Sequence, residues 1–246
     1  MIGEAVDCAK SPPHEDSVEN RRVSDRLITN TLLQHAPDIV EACGATALFV
    51  YIDAMDEAAA CPDLPVKARV LYVTRAPAAE TEAHLGGVPC VRVPNVPLTR
   101  IGQVKIAVFL ALSRGLIHHG DRVVFLAGPA SAKTLDTITV AEVGREYGGL
   151  APGEESPEAT ATILSEVIER VVDVASELGS EGREGRAVGA LFVVGDTDRV
   201  LPLTRQLVLN PFKGYPPDER NVLDYSLEET VKELATLDGA FIIRGD

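Results

Sequence analysis

The sequence predicts an α/β protein in which helices alternate with the strands of a mostly parallel sheet. Three observations carry that expectation. Short continuous apolar runs recur at 45–53 (ATALFVYID), 68–74 (ARVLYVT), 88–94 (VPCVRVP) and 122–128 (RVVFLAG). Runs of this length without polar alternation read as strands covered on both faces. Between and after them lie longer stretches whose apolar residues fall three and four apart, the mark of a helix with one buried stripe. Finally, composition shifts at 144–158 (GREYGGLAPGEESPE) to Gly, Pro and acidic residues, which reads as a linker and divides the chain into two domains. The expected boundaries are a flexible N-terminus over 1–23, a first domain over 24–150, and a linker helix with a second domain over 151–246.

The elements follow in order. Leu27, Ile28, Leu32, Leu33, Ile39 and Val40 predict a helix over 24–43, which Pro37 should interrupt or kink. The runs at 45–53, 68–74 and 88–94 predict three strands, with a short Ala/Glu-rich helical piece at 76–85 between the last two. A strong helix is expected over 101–117, a strand over 122–128, and another over 138–143 after the loop GPASAKTLDT. Past the linker, Ile163, Leu164, Val167, Ile168, Val171, Val172, Ala175 and Leu178 form an amphipathic stripe. A buried strand over 188–196 and a strand over 206–212 closed by Pro211 come next. The stretch 226–237 is a short helix with a capping box, Ser226 and Glu229. It runs straight into Asp238-Gly239 and the apolar strand AFIIR.

Composition narrows the functional classes. The chain has 246 residues, 46% of them apolar, and a formal net charge of −14. Such a charge disfavours nonspecific binding to nucleic acid or anionic membranes. No apolar run approaches the ~18 residues of a membrane span. The start, MIGEAVDCAKSPPHEDS, lacks the basic region and apolar core of a signal peptide, so a cytoplasmic location is expected. Cys8, Cys43, Cys61 and Cys90 are isolated, with no His at zinc-ligand spacing, and read as reduced thiols. His118-His119 reads as a helix C-terminus, where imidazole offsets the dipole.

Two segments bear on chemistry. Gly128-Pro129-Ala130-Ser131-Ala132-Lys133-Thr134 resembles a phosphate loop but is one residue short, with Ala132 where the second glycine belongs. It leads toward a strand, so no helix N-terminus faces an anion; a strand connection is expected, with an anion or effector loop around Lys133 as the other reading. The second segment is Asp238-Gly239-Ala240. A carboxylate at the start of a strand, with little bulk beside it, suits a metal ion and a nucleotide phosphate. A tight helix-to-strand turn, with Asp bonding local N–H groups, is the plain alternative. Lys213 and Arg220 read as solvated loop charges.

The run LTRIGQVKIAVFLALSRGLIHHGDRVVFLAG (98–128) and the order of elements over 44–150 resemble the C-terminal domain of pyruvate kinase, an α/β module that carries regulation in those enzymes. The segments GALFVVGD (189–196), NPFKGYPPDERNVLD (210–224) and ETVKELATLDGAFII (229–243) resemble the first half of a diadenylate cyclase domain. Together, in this order, they resemble the archaeal-type diadenylate cyclases. The resemblance implies a pyruvate-kinase-C-like parallel-sheet module followed by a truncated, mixed-sheet cyclase domain. It implies condensation of two ATP molecules into cyclic di-AMP and two pyrophosphates, with Mn²⁺ or Mg²⁺ as cofactor. Asp238 would be the catalytic, metal-binding residue, Gly239 and Ala240 would let ATP approach the backbone, and the working enzyme would be a homo-oligomer. The family's Arg-His motif has no counterpart here, so the site is expected to be incomplete and the chain inactive alone. A non-catalytic regulatory or metabolite-binding module is the alternative.

Overall fold

The computed structural model describes residues 15–55, 64–76, 89–145, 163–182, 186, 188–237 and 239–245. A first helix, α1 (Glu15–Cys43), precedes β1 (Ala47–Tyr51), β2 (Arg69–Thr74) and β3 (Cys90–Arg92). Then come α2 (Arg100–Ser113), β4 (Arg122–Ala127) and β5 (Thr137–Glu142). The C-terminal part holds α3 (Ser165–Glu181), β6 (Leu191–Val194), one-turn α4 (Thr197–Val200), α5 (Glu228–Ala235) and β7 (Ala240–Ile243). The Ala/Glu-rich piece at 76–85 and the 144–158 linker fall almost wholly outside the described residues.

The sheet order β3-β2-β1-β4-β5 places the first strand in the middle. Parallel pairing joins β1 to β2, β1 to β4, and β2 to β3, while β5 runs antiparallel to β4. A short connection can reverse a strand but cannot carry it back parallel, so GPASAKTLDT yields a hairpin. Every residue of β1 is buried, as a central parallel strand requires. Phe49 and Phe125, partners in the β1–β4 register, stack with ring centroids 5.4 Å apart. Packing is tightest at Gly128, where an added Cβ would stand 1.9 Å from the Thr134 carbonyl oxygen.

Two local expectations give way. Helix α1 begins at Glu15 and runs through Pro37 as one element. Proline removes a single intrahelical bond, and the flanking Ala36 and Val40 are buried in the core beside it. His118 and His119 lie beyond the end of α2, in the turn before β4. The His118 N–H donates to Asp121 Oδ2 (2.8 Å) there, after Gly115 turns the chain at φ +64°. Cys43 and Cys90 are half-buried and in no disulfide, while Cys8 and Cys61 lie outside the described residues.

Strands β6 and β7 form a separate two-stranded parallel sheet. Helix α3 lies between it and the larger sheet. Ile168 joins the main core, with Ile163 and Val172 packed against it. Val167 and Val171 form a second cluster with Ile243, against which Phe192, Val194 and Phe241 pack. The strand expected at 206–212 is absent: the segment is irregular and exposed, with Leu207 and Leu209 at 62% and 86%. Among the described residues no strand edge pairs with it, and Pro211 lacks the N–H a ladder needs.

Candidate functional site

The C-terminal site is built by a helix handing over to a strand. Helix α5 ends with the Thr236 N–H bonded to the Lys232 carbonyl (3.2 Å) and Leu237 N–H to that of Leu234 (3.2 Å). Asp238 lies outside the described residues, so its side chain has no described position. Gly239 and Ala240 are both exposed, and Ala240 pairs with Leu191 at the open end of the small sheet. A Cβ on Gly239 would meet only Leu207 Cδ2, at 3.4 Å. The backbone at the start of β7 is therefore accessible from solvent, as close approach of a ligand requires. The exposed leucine arm of 201–209 reaches this point through Leu207.

The expected capping box at Ser226 and Glu229 does not form. A 3-10 turn, Tyr225–Leu227, precedes α5, and Asp224 caps it by accepting from the Ser226 N–H (2.9 Å). That bond holds the Asp224 carboxyl below its usual pKa. Glu229 instead meets Lys232 Nζ (3.3 Å). Asn210-Pro211-Phe212-Lys213 makes a turn in which Asn210 Oδ1 accepts from the Phe212 N–H (3.0 Å). Lys213 and Arg220 are exposed, in keeping with solvated loop charges. A cavity of about 390 Å³ lies between Phe212 and Tyr215 on this turn and Ser226 and Thr230 at the start of α5. Since eight helical residues span ~12 Å, it sits at the far end of α5 from Asp238-Gly239-Ala240.

Sequence reasoning missed the charged network that binds α5 to α3. Lys232 is almost fully buried and meets Glu177 (3.3 Å), Glu181 (3.0 Å), Glu228 (3.3 Å) and Glu229 (3.3 Å). Burial pulls its pKa down, but the hydrogen bonds it donates to the four carboxylates outweigh this and drive it up. Arg170, also buried, pairs with Glu228 (2.7 Å), donates to the Val222 carbonyl (3.2 Å) and lies 4.0 Å over the Tyr225 ring. Glu228 is held low, first by its hydrogen bond with Glu177. Glu177 is raised, first by burial and then by that same neighbour. The signal available in the sequence was Arg170 inside the apolar stripe of α3, since an arginine there must find partners.

In the larger module, Lys133 is exposed at φ +52° beyond the 3-10 turn Ala130–Ala132. The loop around it is tied down from three sides. Gln103 Nε2 donates to the Gly128 carbonyl (3.1 Å), Thr29 Oγ1 accepts from the Leu135 N–H (3.0 Å), and Arg100 Nε bonds Asp136 Oδ1 (2.7 Å). It is thus a fixed strand connection. Among the described residues no cluster of three His, Cys, Asp or Glu side chains could hold a metal ion. No described helix is long and apolar enough to cross a membrane.

The fold and site define an α/β module with a parallel-dominated sheet, joined through one helix to a small parallel sheet that opens at a Gly-Ala step. Residues 29–150 match the family described as "Probable sensor domain DacZ_P". The chain is 35% identical over 134 residues to a diadenylate cyclase of Methanocaldococcus jannaschii, a match covering 54% of this chain and 42% of that protein. It is 44% identical over 77 residues to a diadenylate cyclase of Haloferax volcanii, covering 31% of this chain and 28% of that one. The chain is therefore diadenylate-cyclase-like, and its matches span less than half the length of each of these relatives. A pyruvate kinase from Cryptosporidium parvum aligns over 47% of this chain and 22% of its own, at 11% identity and a TM-score of 0.35, too low to carry an argument.

Proposed function

We propose that this chain supplies the N-terminal module and the first part of the catalytic domain of a diadenylate cyclase, divided at about 150. Two relatives that bear that name support the reading. ATP is the substrate, two molecules condensing to cyclic di-AMP with release of two pyrophosphates. Asp238 acts as the metal-binding, catalytic carboxylate. The open backbone at Gly239 and Ala240 admits the nucleotide. A homo-oligomer brings two nucleotides face to face.

One carboxylate, Asp238, would hold Mn²⁺ or Mg²⁺ together with the phosphates of the substrate. Magnesium commonly takes only one or two protein carboxylates beside phosphate oxygens. When bound, the ion would polarise phosphate oxygens and lower the pKa of the attacking hydroxyl. The chain's own part is placement: Asp238 directs the cation, and β7 fixes the main chain beside it. Phosphoryl transfer rests largely on such positioning and charge neutralisation.

Residues 1–246 alone are expected to form no cyclic di-AMP from ATP and Mn²⁺, since they contain no Arg-His pair to grip the triphosphate. In the protein translated from the whole reading frame, Asp238→Asn lowers cyclic di-AMP formation at least ~100-fold, since a metal's charge stabilisation is worth several kcal/mol and ~1.4 kcal/mol is tenfold. Mass-spectrometric product assays with circular dichroism of both proteins provide the check. Wild-type rates in the variant would remove Asp238 from the mechanism.

A second role, sensing a small molecule, is favoured for residues 29–150 by the description of the family they match. Ligand binding by that module would survive Asp238→Asn.

A further inference from the structure

Helix α3 is held by charges from both sides. On the larger module, Arg114 at the end of α2 donates from Nε to Glu169 Oε1 (2.6 Å) and from Nη1 to the Cys90 carbonyl of β3 (2.8 Å). Arg92, the last residue of β3, bonds Asp173. Ser165 Oγ donates to the Ser113 carbonyl (3.1 Å). Glu169 and Asp173 are four residues apart, so they project from one face of α3. Val167 and Val171 face Ile243 of β7, while Arg170 and Glu177 reach Glu228 and Lys232 of α5. At its N-terminal end, the Leu164 N–H bonds the Gly245 carbonyl (2.8 Å). Ile163 fills the space beside Gly195 and Gly245, where an added Cβ would come within 2.8 and 2.9 Å of it. One helix thus contacts the edge of the large sheet, the helix before Asp238 and the strand after it.

We infer that Arg92 and Arg114 are positioning residues. Through Asp173 and Glu169 they fix the seat of α3, and α3 in turn sets the placement of α5 and β7, which flank Asp238-Gly239-Ala240. A displacement of β3 or of the α2 C-terminus, such as ligand binding in the larger module would produce, is passed to the catalytic step by this helix. The link to catalysis rests on the cyclase reading, but the mechanical coupling does not.

The test is amide hydrogen exchange on the chain as it stands, with Glu169→Gln/Asp173→Asn. These isosteric changes remove both charges from α3 and leave the two arginines partly open to water. Exchange in the peptide 239–245 rises roughly tenfold, while peptides from β1 and β4 stay within about twofold of wild type, as expected when local opening is eased without global unfolding. The charge-swapped variant Arg92→Asp/Asp173→Arg, which restores a pair, returns protection to 239–245. Unchanged exchange in that peptide overturns the inference, and so does a uniform rise across all strands. Failure of cyclase activity in the whole protein leaves this measurement intact, so the two readings fail separately.

Discussion

The two sheets look alike in sequence and differ in the structure. ATALFVYID and VGALFVVGD are both continuous apolar runs. In the first, all five strand residues of β1 are buried. In the second, Leu191 of β6 is 60% exposed and the other three are only half-buried. Pairing explains the contrast. Strand β1 has a parallel neighbour on each side, whereas among the described residues β6 is paired in its sheet with β7 alone. The register places Phe192 with Phe241 and Val194 with Ile243, and these four pack on the α3 cluster. Leu191, Val193, Ala240 and Ile242 point to the opposite face and belong to neither core. A parallel sheet is stable when both faces are covered, and a two-stranded sheet is marginal by itself. Burial is therefore a property of neighbours, which an apolar run can request but not provide.

The largest test of this contrast is aromatic truncation in each sheet. Phe125 is fully buried and stacked on Phe49, so Phe125→Ala lowers unfolding free energy by about 3–5 kcal/mol. Phe241 packs at 6.1 Å from Phe192 but stays half-buried, so Phe241→Ala loses roughly half as much. Urea unfolding followed by circular dichroism measures both. Equal losses would mean that the small sheet is as well supported as the large one.

Glycines sharpen the same comparison. Gly128→Ala drives a methyl group into the Thr134 carbonyl. Because backbone and not a pliable side chain lies in the way, the change destabilises by about 1–3 kcal/mol or more. Gly239→Ala finds only Leu207, in ordinary contact, and stays within about 0.5 kcal/mol of wild type. The urea midpoints of the two variants give the answer. A clearly lowered midpoint for Gly239→Ala would show the start of β7 to be crowded. If instead it folds normally, any loss of ATP affinity in the whole protein reports ligand approach rather than folding.

Legibility in the sequence followed the same division. Strands β1 to β4 and helices α2 and α3 were readable because burial on both faces, or on one stripe, dictates composition. The antiparallel turn of β5 was not, since direction depends on the length of a connection rather than on the strand's residues. The run QLVLNPF was misleading for a different reason: its leucines are exposed and await a neighbour that the described residues do not provide. The Asp238-Gly239-Ala240 step could be picked out as a helix-to-strand handover, but a cyclase role for it came only from resemblance. Glu229 reads as a cap because Ser226 precedes it by three, but the buried Lys232 competes for its carboxylate.

The smallest expected effect separates two carboxylates that both hold arginines. Asp136 is lowered below its usual pKa, first by its hydrogen bond from Arg100. The folded state thus favours the ionised form, which stabilises above the unfolded value of about 4 and stops doing so as pH falls through the folded pKa. Asp173 is raised, first by burial, with Arg92 opposing. There the folded state favours the protonated form, so its contribution is complete at low pH and lost as pH rises through the folded pKa. At pH 7, Asp136→Asn therefore lowers the urea midpoint, while Asp173→Asn leaves this measure of global unfolding close to wild type even where it eases local opening at β7. The Asp136→Asn deficit shrinks as the pH is taken below about 4. A larger loss at pH 7 from Asp173→Asn would mean that the pairing with Arg92 outweighs the burial of its carboxylate. The edge of the large sheet would then hold α3 by net attraction, and not merely by geometry.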